Sequence, residues 1–204
     1  MTGNILISTI YEDTSILSIK ICANEFKINK IIMLVDKNPK KETEAKQKFV
    51  VAEIKKLFSD ILPIETFPID LYKISEIAKD VIKIIDAQSG DSKIIVNVSQ
   101  GRKLQAWATY FAALKRTEKI NKIIYITEEK KEIIELPKIS LKLSDKKIEI
   151  LKNIEQLPIT DISEKVDLHN AMVYRHLKKL QKEGFLEKKD GAYKLTDAGL
   201  IAIL

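Results

Sequence analysis

Two kinds of hydrophobic pattern alternate along the first two thirds of the chain. Ile5-Leu6-Ile7, Lys30 to Val35, Ile64 to Ile69, Lys93 to Val96 and Lys122 to Ile126 are short apolar runs of strand length. Between them apolar residues recur every three or four positions, the spacing of a helix with one buried face. These are Ile16, Ile19, Ala23 and Phe26; then Ala45, Phe49 and Ala52, thickened by Ile54, Leu57 and Phe58; then Ile74, Ile77, Val81, Ile84 and Ile85; and last Leu104, Trp107, Ala108, Phe111, Ala112 and Leu114. Pro63 and Pro68 cannot donate to a β-ladder, which predicts that the third strand lies at an edge. Glu129-Lys130-Lys131 can turn the fifth strand back into Ile133 to Leu136. Strands and helices in strict alternation predict an α/β, Rossmann-like, mostly parallel sheet with helices on both faces. In such a sheet ligands sit beyond the carboxyl ends of the strands, which is where the loops Ser8 to Thr14 and Asn97 to Lys103 fall.

After Pro137 the pattern changes to short helices. Ser144-Asp145 can open a helix with Ile148, Leu151 and Ile154 on one face, and Pro158 to Asp161 is expected to stop it. Ile162 to Val166 is a second short helix, and Asn170 to Lys182 a third, ended by Gly184. Asp190-Gly191 joins Phe185 to Lys189 with Ala192 to Thr196, a strong hairpin signal because both turn residues take positive φ. Three helices followed by a two-stranded hairpin make a small winged helix-turn-helix domain. The chain therefore divides into a Rossmann-type domain at 1–136, a linker at 137–142 and a winged helix at 143–204.

Two stretches carry candidate chemistry. In Asn97-Val98-Ser99-Gln100-Gly101-Arg102-Lys103 a strand meets a helix start through the only glycine between Gly90 and Gly184. The helix dipole disfavours cations at a helix N-terminus, so Arg102 and Lys103 make better sense there with an anion bound. The alternative is an ordinary turn with Gly101 left-handed, Ser99 capping the helix and the basic pair in water. In the third helix of the winged domain, Val173, Leu177 and Leu180 face a core while Asn170, Ala171, Tyr174, Arg175 and Lys178 face outward. That outward set suits a DNA groove: Arg175 can reach a guanine edge, Asn170 an adenine or a phosphate, and Tyr174 and Lys178 the backbone. Lys188 and Lys189 on the hairpin can hold flanking phosphates. A winged helix used for protein contact is the alternative.

Composition changes the picture little. The net charge of +6 permits a nucleic-acid partner without requiring one. A single cysteine, Cys22, at helical spacing among apolar residues, excludes an internal disulfide and suits a reducing, cytoplasmic setting. His169 and His176 lack a third ligand at a consistent spacing, so no metal site is expected. The start of the chain lacks a leader pattern, and no apolar run approaches the roughly 20 residues that cross a bilayer.

The polar first strand end, the Asn-x-Ser-x-Gly-x-Lys loop of Asn97, Ser99, Gly101 and Lys103, and the C-terminal winged helix together resemble the CRISPR-associated Rossmann-fold (CARF) transcriptional regulators of the Csa family. The family's loop reads Asn-x-Thr-Gly-Gly-x-Arg or Lys; here Ser99 keeps the hydroxyl and Gln100 replaces the first glycine. The resemblance implies a homodimer that senses a cyclic oligoadenylate, most often the tetra-adenylate, and binds double-stranded promoter DNA. It also implies that Ser8, Thr9 and Thr14 donate to the ligand from one side, while Ser99, Gln100, Gly101, Arg102 and Lys103 do so from the other. The ligand is regulatory, and no cofactor is expected.

Enzymatic readings are weaker. A nicotinamide site needs glycines where the chain has Ser8-Thr9-Ile10-Tyr11-Glu12-Asp13, and a Ser99 nucleophile has no histidine before residue 169 to activate it. Slow cleavage of a bound cyclic oligonucleotide, with Lys103 or Arg102 stabilising the developing charge, needs neither metal nor histidine and stands as the enzymatic alternative.

Overall fold

The computed structural model describes residues 3–139 and 143–204; Met1, Thr2 and residues 140–142 of the expected linker lie outside the described residues. The chain separates into two units, Met1–Ser140 and Leu141–Leu204. The first runs β1 (Asn4–Thr9), α1 (Thr14–Phe26), β2 (Ile28–Asp36), α2 (Lys41–Phe58), β3 (Ile64–Ile69), α3 (Ile74–Asp86), β4 (Lys93–Asn97), α4 (Lys103–Lys115), β5 (Ile120–Ile126) and β6 (Ile133–Leu136).

Its six strands form one sheet in the order β3-β2-β1-β4-β5-β6, parallel throughout except that β6 returns antiparallel beside β5. This is the mostly parallel sheet that the alternation predicts, with proline-bearing β3 at one edge. The order runs outward from β1 to β3 and then jumps back across β1 to β4. Loops leaving β1 and β4 therefore diverge and open a crevice at the carboxyl edge. Register fixes its floor, since Ser8 lies beside Asn97 where the two strands end.

Both sheet faces are dry. Leu6, Ile31, Met33, Val35, Ile95, Ile124 and Ile126 pack with Ile19 and Cys22 of α1 and with Val50 and Ile54 of α2. The alternate residues Ile5, Ile7, Ile32, Leu34, Ile94, Val96 and Ile123 are buried as well, as the two-residue repeat of a strand covered on both sides requires. Cys22 lies fully inside this core, and burial pushes its thiol up to about 12 despite a backbone hydrogen bond acting the other way.

Two helices turn differently from the sequence reading. In α2 the buried stripe is Val50 and Ile54, while Phe49 and Leu57 are exposed. In α4 the buried residues are Gln105, Ala108, Thr109, Ala112, Ala113 and Leu114, so Leu104 and Trp107 point to solvent. Small side chains explain the second case: Ala108, Ala112 and Ala113 let α4 lie close against the rest of the unit, which rotates the bulky side outward. Buried Gln105 tolerates its position by donating Nε2 to the Leu34 carbonyl at 3.3 Å.

The second unit contains α5 (Asp145–Asn153), α6 (Ile159–Lys165), α7 (Asn170–Lys182), β7 (Leu186–Lys189), β8 (Ala192–Leu195) and α8 (Asp197–Ala202). It is the predicted winged helix-turn-helix. Val173, Leu177 and Leu180 of α7 enter a core with Ile150, Leu151, Ile162, Val166, Leu186 and Ala202; each buried Val, Leu or Ile side chain stabilises by about 1.5–3 kcal/mol. Pro158, expected to end a helix, instead stands at the start of α6, where a missing N–H is harmless. Asp190 and Gly191 have φ of 51° and 80°, the paired positive values of a tight hairpin turn.

Candidate ligand cleft and nucleic-acid interface

The site of the first unit begins with Asn97, fully buried at the end of β4. Its Nδ2 donates to Ser8 Oγ at 3.0 Å and to Ser18 Oγ at 2.8 Å, tying β4 to β1 and α1. Its Oδ1 accepts from the Ser99 amide at 3.1 Å and from the Ser99 hydroxyl, and Ser99 Oγ in turn accepts from the Ile126 amide at 2.7 Å. Every polar atom of this side chain is satisfied inside the protein, so the loop is held from below. Gly101 then takes φ of 89°. A Cβ there would also meet Gln105 Oε1 at 2.5 Å and Thr9 Cβ at 2.9 Å. Only glycine fits this position, on dihedral and steric grounds together.

Ser8 and Thr9 are also fully buried. Ser8 accepts from Asn97, and Thr9 Oγ1 donates to the Gln100 carbonyl. Their hydroxyls are spent on shaping the loop and are withdrawn from the surface where a ligand would lie. Thr14 is exposed and donates to Gln100 Oε1 at 2.7 Å, so Gln100 is tied across the crevice to the β1 side by both its backbone carbonyl and its side chain. No side chain caps α4; Ser99 is engaged elsewhere, and Arg102 occupies the position before the helix with extended backbone. The first amides of α4 are left for water or an anion.

Arg102 and Lys103 part company. The guanidinium carbon of Arg102 lies 5.2 Å from the centre of the Tyr11 ring, a cation–π stack, and its Nε is buried without a hydrogen-bond partner among the described residues. Lys103 is exposed and lines a cleft of about 760 Å³ together with Ser99, Gln100, Gly101, Trp107, Tyr110 and Tyr125. Glu128 is the only acidic side chain in that lining. The structure thus gathers Ser99, Gln100, Gly101 and Lys103 at one opening, with Thr14 hydrogen-bonded to Gln100, while Ser8, Thr9 and Asn97 lie beneath and Arg102 turns to Tyr11. The aromatic wall was missed in the sequence. Lys103, Trp107 and Tyr110 stand at i, i+4 and i+7, one helical row leading away from the loop, and that spacing was the available signal.

In the second unit Asn170, Ala171, Tyr174, Arg175 and Lys178 are all exposed along α7. Lys188 and Lys189 are exposed on β7, with Lys188 Nζ 5.7 Å from the Tyr193 ring centre. From Lys165 through Lys189 seven basic residues face three acidic ones. Among the described residues no group of three or more His, Cys, Asp or Glu could hold a metal ion, and no helix is long and apolar enough to cross a membrane.

No curated protein matches this sequence. Among the solved structures that share its fold are two at 11% identity. Protein VC1899 from Vibrio cholerae superposes with a TM-score of 0.52 over 98% of this chain and 64% of its own. Enterococcus italicus Csm6 bound to cyclic hexa-2'-fluoro-hexa-dAMP does so with 0.53 over 89% of this chain and 53% of its own. This chain thus spans only about half to two thirds of the length of either. Residues 144–203 match a winged helix-turn-helix family, in agreement with the helices and wing of the second unit. Residues 12–132, more than half the chain and the stretch from the loop after β1 through β5, match the family described as HFX_2341_N-like, N-terminal, and the chain belongs to that family.

Proposed function

We propose that the protein is a ligand-responsive DNA-binding regulator of the CARF type. Its first unit takes a cyclic oligoadenylate at the Ser99 to Lys103 loop, and its winged helix binds promoter DNA. The observation that carries the reading is the cleft beside that loop, where an uncapped helix N-terminus and Lys103 meet three aromatic side chains. An anionic, base-bearing ligand answers both halves of such a lining. The fold shared with a Csm6 structure that holds a cyclic hexa-adenylate analogue supports the ligand class. The winged-helix match and the exposed basic face of α7 support duplex DNA as the partner. Two copies are expected to set their loops side by side over one ring, and two winged helices then read a two-fold-symmetric site.

The test is operator affinity measured with and without saturating cyclic tetra-adenylate, for wild type and for Lys103→Ala. Wild type should change its DNA affinity on ligand binding, and ligand must respond reciprocally to DNA. Lys103→Ala should keep basal DNA binding and lose ligand. Unchanged DNA affinity at demonstrated ligand occupancy would overturn the coupling, and wild-type ligand affinity in Lys103→Ala would overturn the site.

A further inference from the structure

Trp107 is the single tryptophan of the chain, and it sits 56% exposed on a helix whose neighbouring face is closely packed. Trp107 shares the cleft lining with Tyr110 and Tyr125, and contiguous apolar surface of this kind marks a ligand groove where a lone exposed residue would not. The indole lies one helical turn beyond Lys103, about 6 Å along the axis, with Tyr110 edge-on to it at 6.5 Å and Phe111 at 6.3 Å. These contacts brace the indole within the cleft lining. Lys103 is the one cation among the described residues of the cleft lining and stands on the first turn of α4, whose opening amides no side chain caps, so a phosphate is drawn there.

Resting on the ligand class proposed above, we infer that Trp107 is the base-stacking platform of this cleft. One phosphate sits at Lys103 and the attached base lies flat on the indole, so that stacking area makes the site prefer purine over pyrimidine rings. Tyr110 and Phe111 are positioning residues that hold the indole in place. The spacing suits a nucleotide, because a single turn of helix separates the charged group from the ring just as a sugar separates phosphate from base.

Because the chain holds no other tryptophan, fluorescence excited at a wavelength that tyrosine does not absorb reports this residue alone. Titration of the full-length protein with cyclic tetra-adenylate should quench or shift the emission in step with occupancy measured by equilibrium dialysis of labelled ligand, and cyclic tetra-uridylate should bind more weakly. Trp107→Ala should lose at least about tenfold in affinity for cyclic tetra-adenylate, and Trp107→Phe, which keeps a flat ring, should recover much of it. Since the side chain is exposed, both variants should fold with an unchanged melting temperature. Wild-type affinity in Trp107→Ala, or emission that ignores bound ligand, would overturn the stacking role while leaving the proposed function standing. Emission that changes with protein concentration and not with ligand would overturn it too, assigning the face to a second copy of the chain. If dialysis shows no cyclic oligoadenylate bound to wild type at all, the functional reading itself falls.

Discussion

The two candidate surfaces are built on opposite plans. The α7 face of the winged helix is a row of long polar side chains standing on a helix whose other side is core, and each residue does its work where it stands. The cleft of the α/β unit is layered. Its open surface is made by Ser99 to Gly101, Lys103 and the α4 aromatics, while a buried network of Asn97, Ser8, Ser18 and Thr9 holds the loop in shape from below. The first plan tolerates piecemeal change. The second does not, because its exposed groups depend on buried polar atoms that would be left unsatisfied if the network were broken.

The sharpest way to break this contrast is Gly101→Val. A β-branched residue at φ of 89° meets Gln105 and Thr9, so the penalty for a left-handed residue, about 1–2 kcal/mol, adds to overpacking of about 1–3 kcal/mol. Thermal melting should drop by several degrees and ligand binding should disappear. Binding of random duplex DNA, which needs only the second unit, should survive. If the variant melts and binds ligand like wild type, the loop is not as constrained as the buried network implies.

A smaller effect is expected on the other surface. Arg175→Ala should weaken binding to the cognate operator by about 1–3 kcal/mol and relax specificity at one position, with no change in melting. Lys188→Ala should weaken all duplexes alike and lower the slope of log affinity against log salt by about one. Comparing the two variants on operator and random DNA over a salt series separates base reading from phosphate holding. An Arg175→Ala loss that is equal on both DNAs would make that residue another backbone contact.

The smallest effects are in acid. Burial pushes the Asp86 carboxyl up, but hydrogen bonds and charge from Arg116 at 3.0 Å and Lys119 at 2.8 Å outweigh it and leave it below the ordinary carboxylate range. A carboxylate lowered on folding stabilises above its unfolded value, near about 3.9, and that contribution is lost as pH falls through the lower folded value. The pair is about a third exposed, so solvent screening keeps the gain to about 1 kcal/mol or less. Asp86→Asn should therefore melt slightly lower than wild type at pH 7, with the gap closing as pH falls through the lowered folded value. In the winged helix Glu149 is lowered first by its hydrogen bond from Asn153 and then by Lys165, and the same closing of a small gap is expected for Glu149→Gln.

What the sequence disclosed follows the same division. Apolar runs bounded by polar turns identify β1, β2 and β4 most clearly, because strands covered on both faces have no polar side to confuse the pattern, while the edge strand β3 is betrayed by its prolines. The outward set of α7 was legible from Val173, Leu177 and Leu180, since large aliphatic residues fix the inner face without ambiguity. In α4 the rule that bulky apolar residues lie inside fails. Close packing there selects Ala108, Ala112 and Ala113, and Gln105 and Thr109 follow them inward while Trp107 is turned out. The Gly101 turn was visible from one residue type, but the inward commitment of Ser8 and Thr9 was not. That commitment depends on the β1–β4 register, which brings Ser8 beside Asn97 across 89 residues of chain.

The buried thiol of Cys22 has a practical consequence for following the protein at work. A thiol held near 12 carries almost no thiolate at neutral pH and is shielded from reagents as well, so it will not compete for maleimide or nitroxide labels. One cysteine introduced at an exposed position such as Glu12 in the loop after β1, and another at Asp190 in the hairpin turn, would be the only reactive sulfurs in the molecule. Distances between labels at those two points can then be recorded in the otherwise native chain, with and without ligand, without first removing a core side chain and disturbing the sheet it packs against.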